Sequence, residues 1–259
     1  MDREVVAAGP APRAGIMTTG AGAGSEPGAP EPIELVMLDV GGPVYDDACY
    51  ARALLRAVRE LGGEVEEAAF HRVCEQHRRE QRGSLRTRLA QRFVPGADRE
   101  RLSALASRYW HHPPDALYPD VLPTLRALAG RYRIALVANQ HPRVSEALHR
   151  DGVAAYVDVW ALSGVVGAEK PDPAIFRHAL AEAGVPAQRA AHVGNRLDND
   201  VRAARAVGVR TVWVLRGEAP SAPTAEQLRE ADAAVSSLTE LPGVLDALQR
   251  SGKRRAVVP

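Results

Sequence analysis

The chain has 259 residues, enough to bury a sizeable core, which favours one large domain or a core domain carrying a smaller insert. Its 33 Lys and Arg nearly balance 32 Asp and Glu, and a net charge of +1 gives no general reason to expect nucleic acid or an anionic membrane as a partner. No apolar run is long enough to span a bilayer, and no signal-type hydrophobic stretch opens the chain. The two cysteines, Cys49 and Cys74, fit no metal or redox spacing, so a soluble, cytoplasmic protein with reduced thiols is expected.

Residues 1–32 are rich in Gly, Ala and Pro and lack periodicity, which predicts a disordered tail; residues 250–259 predict a second, basic tail. Order begins at Ile33. The run Ile33, Leu35, Val36, Met37, Leu38 predicts a strand buried on both faces, ending at Asp39 and the turn Gly41-Gly42-Pro43. Tyr50, Leu54, Leu55, Val58 and Leu61 recur at helical spacing, and further helices are expected over 65–79, 85–93 and 98–110. Residues 46–118 therefore form a wholly helical block of the size of an inserted cap.

After Pro119 strands and helices alternate. Strands are expected at 134–138, 156–160, 190–193, 211–215 and 233–235, with helices at 121–128, 144–150, 173–184, about 199–207 and 242–249. That alternation predicts an α/β fold, a doubly wound parallel sheet made from residues 33–45 and 119–249. The site of such a sheet lies beyond the carboxyl ends of its strands. Asp39 follows the first strand, Asn139 the second, Lys170 the third, and an acidic loop from Asn195 to Asp200 the fourth. A carboxylate nucleophile facing an anionic phosphoryl group needs a lysine and a cation such as Mg²⁺ to offset repulsion, and oxygen donors suit Mg²⁺.

Four motifs, in order and at strand ends, carry a resemblance. Asp39-Val40-Gly41-Gly42-Pro43-Val44-Tyr45-Asp46, Val137-Ala138-Asn139, Lys170-Pro171-Asp172-Pro173 and Val193-Gly194-Asn195 through Asp200 resemble the four motifs of the haloacid dehalogenase superfamily. The helical block resembles that family's cap. The resemblance implies a Rossmann-like core and a phosphatase acting on a small phosphorylated compound, working as a monomer or homodimer. It implies Asp39 as nucleophile, forming an aspartyl-phosphate, with Lys170 beside it. It further implies that Asn139 and Gly42 contact the transferring group, and that Asp39, the Gly41 carbonyl, Asn195 and Asp200 hold Mg²⁺.

Three positions depart from the family pattern. Gly41 stands where its phosphatases usually carry a second aspartate, the general acid–base that serves the leaving oxygen and later water. Such help is typically worth about 10²–10⁴-fold. Asp46 and His141 are the nearest replacements in sequence. Ala138 replaces a Ser or Thr, and Asn195 replaces an aspartate. Three readings follow: a phosphatase with altered acid–base apparatus, a 2-haloacid dehalogenase, or a non-catalytic protein binding a phosphorylated ligand or a partner.

Plainer roles exist for each residue taken singly. Asp39 could cap a helix, Lys170 could be solvated, Asn139 could shape a turn, and Asp198 and Asp200 could complement a helix dipole. Asp172 before Pro173 reads as a helix start. The cap arginines (Arg78, Arg79, Arg82, Arg86, Arg88) and the His111-His112 pair are expected on a solvated cap face.

Overall fold

The computed structural model describes residues 31–250; most of both expected tails lies outside the described residues. Six parallel strands form one sheet in the order β3-β2-β1-β4-β5-β6: β1 Leu35–Leu38, β2 Arg133–Ala138, β3 Val159–Leu162, β4 Ala190–Gly194, β5 Arg210–Val214 and β6 Ala233–Val235. The side chains of β1 alternate between two apolar layers, as the period of two requires. Val36 and Leu38 join a core with Val121, Leu125, Leu241 and Leu245. Leu35 and Met37 join a second with Ile175, Phe176 and Ala179. The continuous apolar run is thereby explained, since each face is covered by helices.

Helices α5 (Val121–Leu128), α6 (Val144–Arg150) and α11 (Leu241–Arg250) supply one layer. Helices α8 (Ala174–Ala183) and α9 (Ala203–Ala206) supply the other, with the short α7 (Ser163–Val166) and α10 (Ala225–Leu228) in connecting segments. The chain builds outward from β1 through β2 to β3, then returns to the other side of β1 at β4. The segments leaving β1 and β4 therefore diverge, and the sheet opens a crevice there.

Between β1 and α5 stand α1 (Ala48–Glu60), α2 (Glu67–Glu80), α3 (Leu85–Phe93) and α4 (Arg99–Tyr109). They bury an apolar cluster of their own, with Leu54, Val58, Phe70, Leu89 and Leu102 at its centre. The block is joined to the sheet through a narrow neck, where Asp46 N donates to Ala116 O at 2.8 Å and Tyr118 N to Val44 O at 3.1 Å.

Two elements differ from expectation. The third strand begins at Val159, because residues 153–156 form a 3₁₀ turn and the chain joins the sheet at Asp158. There Asp158 N donates to Ile134 O, and its carboxylate accepts from Ile134 N, both at 2.8 Å. The helix expected over 199–207 is preceded by a wide π-type turn over Leu197–Arg202, and only Ala203–Ala206 is α-helical. Turns of that kind frequently sit at functional sites.

Candidate active site

Asp39, Lys170 and Asp200 arrive from β1, from the loop after β3 and from the turn after β4, and they meet in one line of charge. Lys170 Nζ lies 2.8 Å from Asp39 Oδ1 and 2.6 Å from Asp200 Oδ1. The lysine is only 4% exposed, so the solvated alternative does not apply. Its partners keep it charged: burial alone would depress its pKa, but Asp200 and Asp39 raise it above the ordinary value. Burial pushes the Asp39 carboxyl up to about 6, against the pull of Lys170. Asp39 Oδ1 also accepts from Val40 N at 2.8 Å, so the carboxylate is aimed from two sides.

Asp200 was expected among the metal ligands, and its carboxylate is engaged by three neighbours. Oδ1 accepts from Lys170 and lies 3.1 Å from His192 Nε2, Oδ2 accepts from Arg196 N at 2.9 Å, and the residue is fully buried. Burial pushes its carboxyl up, yet Lys170 and His192 hold it well below the usual carboxylate range. Asp200 thus anchors the lysine. Asn139 also acts on Lys170: its Nδ2 donates to Lys170 O at 2.8 Å and its Oδ1 accepts from Lys170 N at 2.6 Å. Both halves of that amide are engaged in holding the lysine loop, and Asn139 also lines the cavity beside Asp39. Gly42 has φ +84, and a Cβ there would fall 1.9 Å from Asn195 Nδ2, so glycine is required where the two loops touch.

Asn195 turns Nδ2 towards Asp47 Oδ2 at 3.4 Å and Arg216 O at 3.3 Å, while buried Trp213 donates from Nε1 to Asn195 O at 3.0 Å. Asp47 was not singled out from the sequence. It lines the same cavity as Asp39 and Lys170, of about 530 Å³. Burial and the neighbouring carboxylates of Glu218, Asp39 and Asp46 push its pKa well above the ordinary value. The two expected replacements for the missing acid lie elsewhere. Asp46 is exposed and accepts from Ala48 N at 2.9 Å, and exposed His141 accepts from Arg143 N at 3.2 Å. Gln140 does line the cavity, beside the position where Ala138 lacks a hydroxyl. Asp172 accepts from Ala174 N at 2.8 Å, in the helix-start role expected of it.

The cap meets the core through residues that periodicity could not flag. Gln81 ends α2 with φ 49, is buried, and donates from Nε2 to Glu218 O at 2.7 Å while its Oε1 accepts from Leu197 N at 2.9 Å. Arg196 donates to Gly83 O at 2.9 Å, pairs with Asp198 at 2.8 Å and donates to His77 Nε2. Arg216 bridges Gly42 O and the Asp120 carboxylate, at 3.1 and 2.8 Å, tying the loop after Asp39 to the start of α5. Arg82, Arg86 and Arg99 bring cations to the cavity wall; Arg82 is also exposed, as expected of a solvated face, while Arg86 is half-buried. His112 likewise is buried and stacks on Tyr45 with centroids 4.3 Å apart, not on the cap surface.

His77 carries a stability prediction. Burial, then the Arg196 charge, lowers its pKa to about 3. Between pH 6.5 and about 3 the unfolded chain binds a proton there that the folded chain does not, so stability falls as pH falls. The slope is about 1.4 kcal/mol per pH unit for one proton. His77→Gln should flatten the dependence of urea-unfolding free energy on pH between 6 and 4 by that amount. An unchanged slope would refute the assignment.

This arrangement, a charged line at the switch point of a parallel sheet beside a helical insert, defines a protein of the Rossmann-like α/β class. The family model for haloacid dehalogenase-like hydrolases matches residues 33–208, and the chain belongs to that family. It is 42% identical over 111 residues to a phosphoserine phosphatase of Thermus thermophilus, covering 42% of this chain and 45% of that protein. It is 34% identical over 201 residues to a glyceraldehyde 3-phosphate phosphatase of Methanopyrus kandleri, covering 72% and 85%. The chain thus spans less than half the length of the first relative. Among solved structures, a predicted phosphoglycolate phosphatase of Haemophilus somnus superimposes with TM-score 0.66 at 19% identity, covering 82% of this chain and 97% of that one, which bears on the fold alone. Among the described residues no helix is long and apolar enough to cross a membrane.

Proposed function

We propose that the protein is a phosphatase that transfers the phosphoryl group of a small phosphorylated compound to Asp39 and then to water. The observation that carries this is the Asp39–Lys170–Asp200 line, which aims a carboxylate into a cavity with a charged ammonium fixed beside it. Lys170 offsets the repulsion between the nucleophile and the incoming anion, and Asp200 keeps it from collapsing wholly onto Asp39. Gln140 is available to the phosphoryl oxygens in place of the lost hydroxyl at 138. Named relatives that act on phosphorylated compounds support the same reading.

The donors also fit Mg²⁺. Asp39 Oδ2 and the Gly41 carbonyl oxygen accept no hydrogen bond among the described residues. One carboxylate with neutral oxygens, water and substrate phosphate is a usual Mg²⁺ set. Asp39 and Gly41 would hold the ion, and when bound it supplies charge against the phosphoryl oxygens. Asn195 contributes no charge and Asp200 is committed to Lys170.

Four arginines line the cavity; Arg196 pairs with Asp198 and Glu218 and Arg99 lies 3.9 Å from Glu169, which leaves Arg82 and Arg86 to meet a second anionic group of the substrate. Arg86→Ala is expected to raise KM for such esters about 10- to 100-fold with little change in kcat. A fall in kcat at constant KM would argue against recognition by Arg86. The proposal as a whole is tested with acetyl phosphate and a panel of phosphate monoesters, with and without Mg²⁺, in wild type and Asp39→Asn. Turnover that is the same in both proteins, or absent with every phosphate, would overturn it.

A further inference from the structure

The side-chain space over Gly41 is filled from another segment. An ideal Cβ on Gly41 would stand 2.9 Å from Asp47 Oδ1, so the Asp47 carboxylate occupies the volume an acidic side chain at 41 would take. A Cβ on Gly217 would lie 2.6 Å from Asp47 Oδ2, so this carboxylate is lodged between two glycines. Asp47 stands at the N-cap of α1 but makes no capping bond with its side chain. Asp46 receives the Ala48 N–H at 2.9 Å instead, which leaves Asp47 free to turn inward. Asn195 then donates to Asp47 Oδ2 at 3.4 Å, where an aspartate would set a like charge against it. Two departures from the family pattern, Gly41 and Asn195, have the same physical explanation: one makes room for Asp47 and the other holds it.

We propose that Asp47 is the general acid–base residue of this site, delivering from the start of α1 the carboxyl that related phosphatases carry at the position of Gly41. The inference rests on the phosphatase reading above. In the first step the Asp39 carboxylate forms a bond to phosphorus, the bond from phosphorus to the ester oxygen breaks, and that oxygen takes the proton of the Asp47 carboxyl. In the second, Asp47 carboxylate removes a proton from water as the water oxygen bonds to phosphorus. The Asp39–phosphorus bond breaks, releasing inorganic phosphate and restoring both residues. Because Asp47 begins the first cap helix, acid–base function depends on the seating of the cap.

The test compares single-turnover phosphorylation of Asp39 by an alkyl phosphate, whose leaving group needs a proton, and by acetyl phosphate, whose leaving group does not. In Asp47→Asn the alkyl phosphate rate should fall about 10²–10⁴-fold and the acetyl phosphate rate by less than about tenfold, with phosphoenzyme accumulating because water is no longer activated. Gly41→Asp alone should gain nothing, since its carboxylate would meet that of Asp47. Gly41→Asp combined with Asp47→Ala should recover most of the alkyl phosphate rate, and this pair keeps the test sound if Asp47→Asn folds poorly. Equal losses with both substrates, or no loss with the alkyl phosphate, would overturn the role of Asp47 alone. Absence of phosphate on Asp39 in the wild type would overturn the phosphatase reading and this proposal with it.

Discussion

Asp39→Asn is expected to abolish turnover, by about 10⁴-fold or more, while the protein stays folded. The loss is large because no other group can take the nucleophile's place in a two-step transfer, and residues that act as a unit fail together. The fold should tolerate the change for reasons visible around the side chain. Asn keeps an oxygen for the Val40 N–H, which Asp39 Oδ1 accepts at 2.8 Å. Lys170 retains Asp200 at 2.6 Å. Burial already opposes the ionised form of Asp39, whose pKa is pushed up to about 6, so removing its charge relieves part of what Lys170 has to offset. Unfolding free energy should therefore change by less than about 1 kcal/mol. Measured together, urea unfolding and turnover separate a lost nucleophile from a lost fold. Retained activity would show that the carboxylate is not the attacking group.

Lys170→Met is expected to damage both properties. The substitution preserves bulk but leaves the carboxylates of Asp39 and Asp200 in one pocket without the cation between them. Removing one partner of a buried ion pair costs about 3–5 kcal/mol, because the remaining charge stays desolvated. For a chain of this size that corresponds to a fall in Tm of roughly 6–20 °C. Lys170→Met combined with Asp200→Asn should recover much of the stability and none of the turnover, since it removes the orphaned charge without restoring the ammonium. Differential scanning calorimetry and the turnover assay on the same three proteins give the comparison. A Lys170→Met variant as stable as wild type would mean that the charged line contributes nothing to holding the loops together.

The gap between expectation and structure is instructive at Asp47. Composition at an N-cap gives an aspartate there an ordinary explanation, so nothing in the local pattern marks it. Only the glycines at 41 and 217, separated from it by 6 and 170 positions, reveal that its carboxylate has been given room in the cavity that Asp39 lines. Gln81, Arg196 and Arg216 are similar: each serves a contact between loops distant in sequence, and long polar residues in loops carry no periodicity that would single them out. His192 is a milder case, hidden inside an apolar strand although it lies 3.1 Å from Asp200.

The sequence by itself determined the α/β alternation, the helical block between the first strand and α5, and the delivery of Asp39, Lys170 and the loop ending at Asp200 to strand ends. These follow from local periodicity and from the rule that parallel strands carry their sites at one edge, which needs no knowledge of contacts. Tertiary structure alone decided which carboxylate faces which partner. It assigned Asp200 and Asn139 to Lys170, brought Arg82 and Arg86 to the cavity wall, and set Asp47 into the space above Gly41. The physical reason is that charge interactions act through space over a few ångströms, while the chain order of the groups that meet is free to vary.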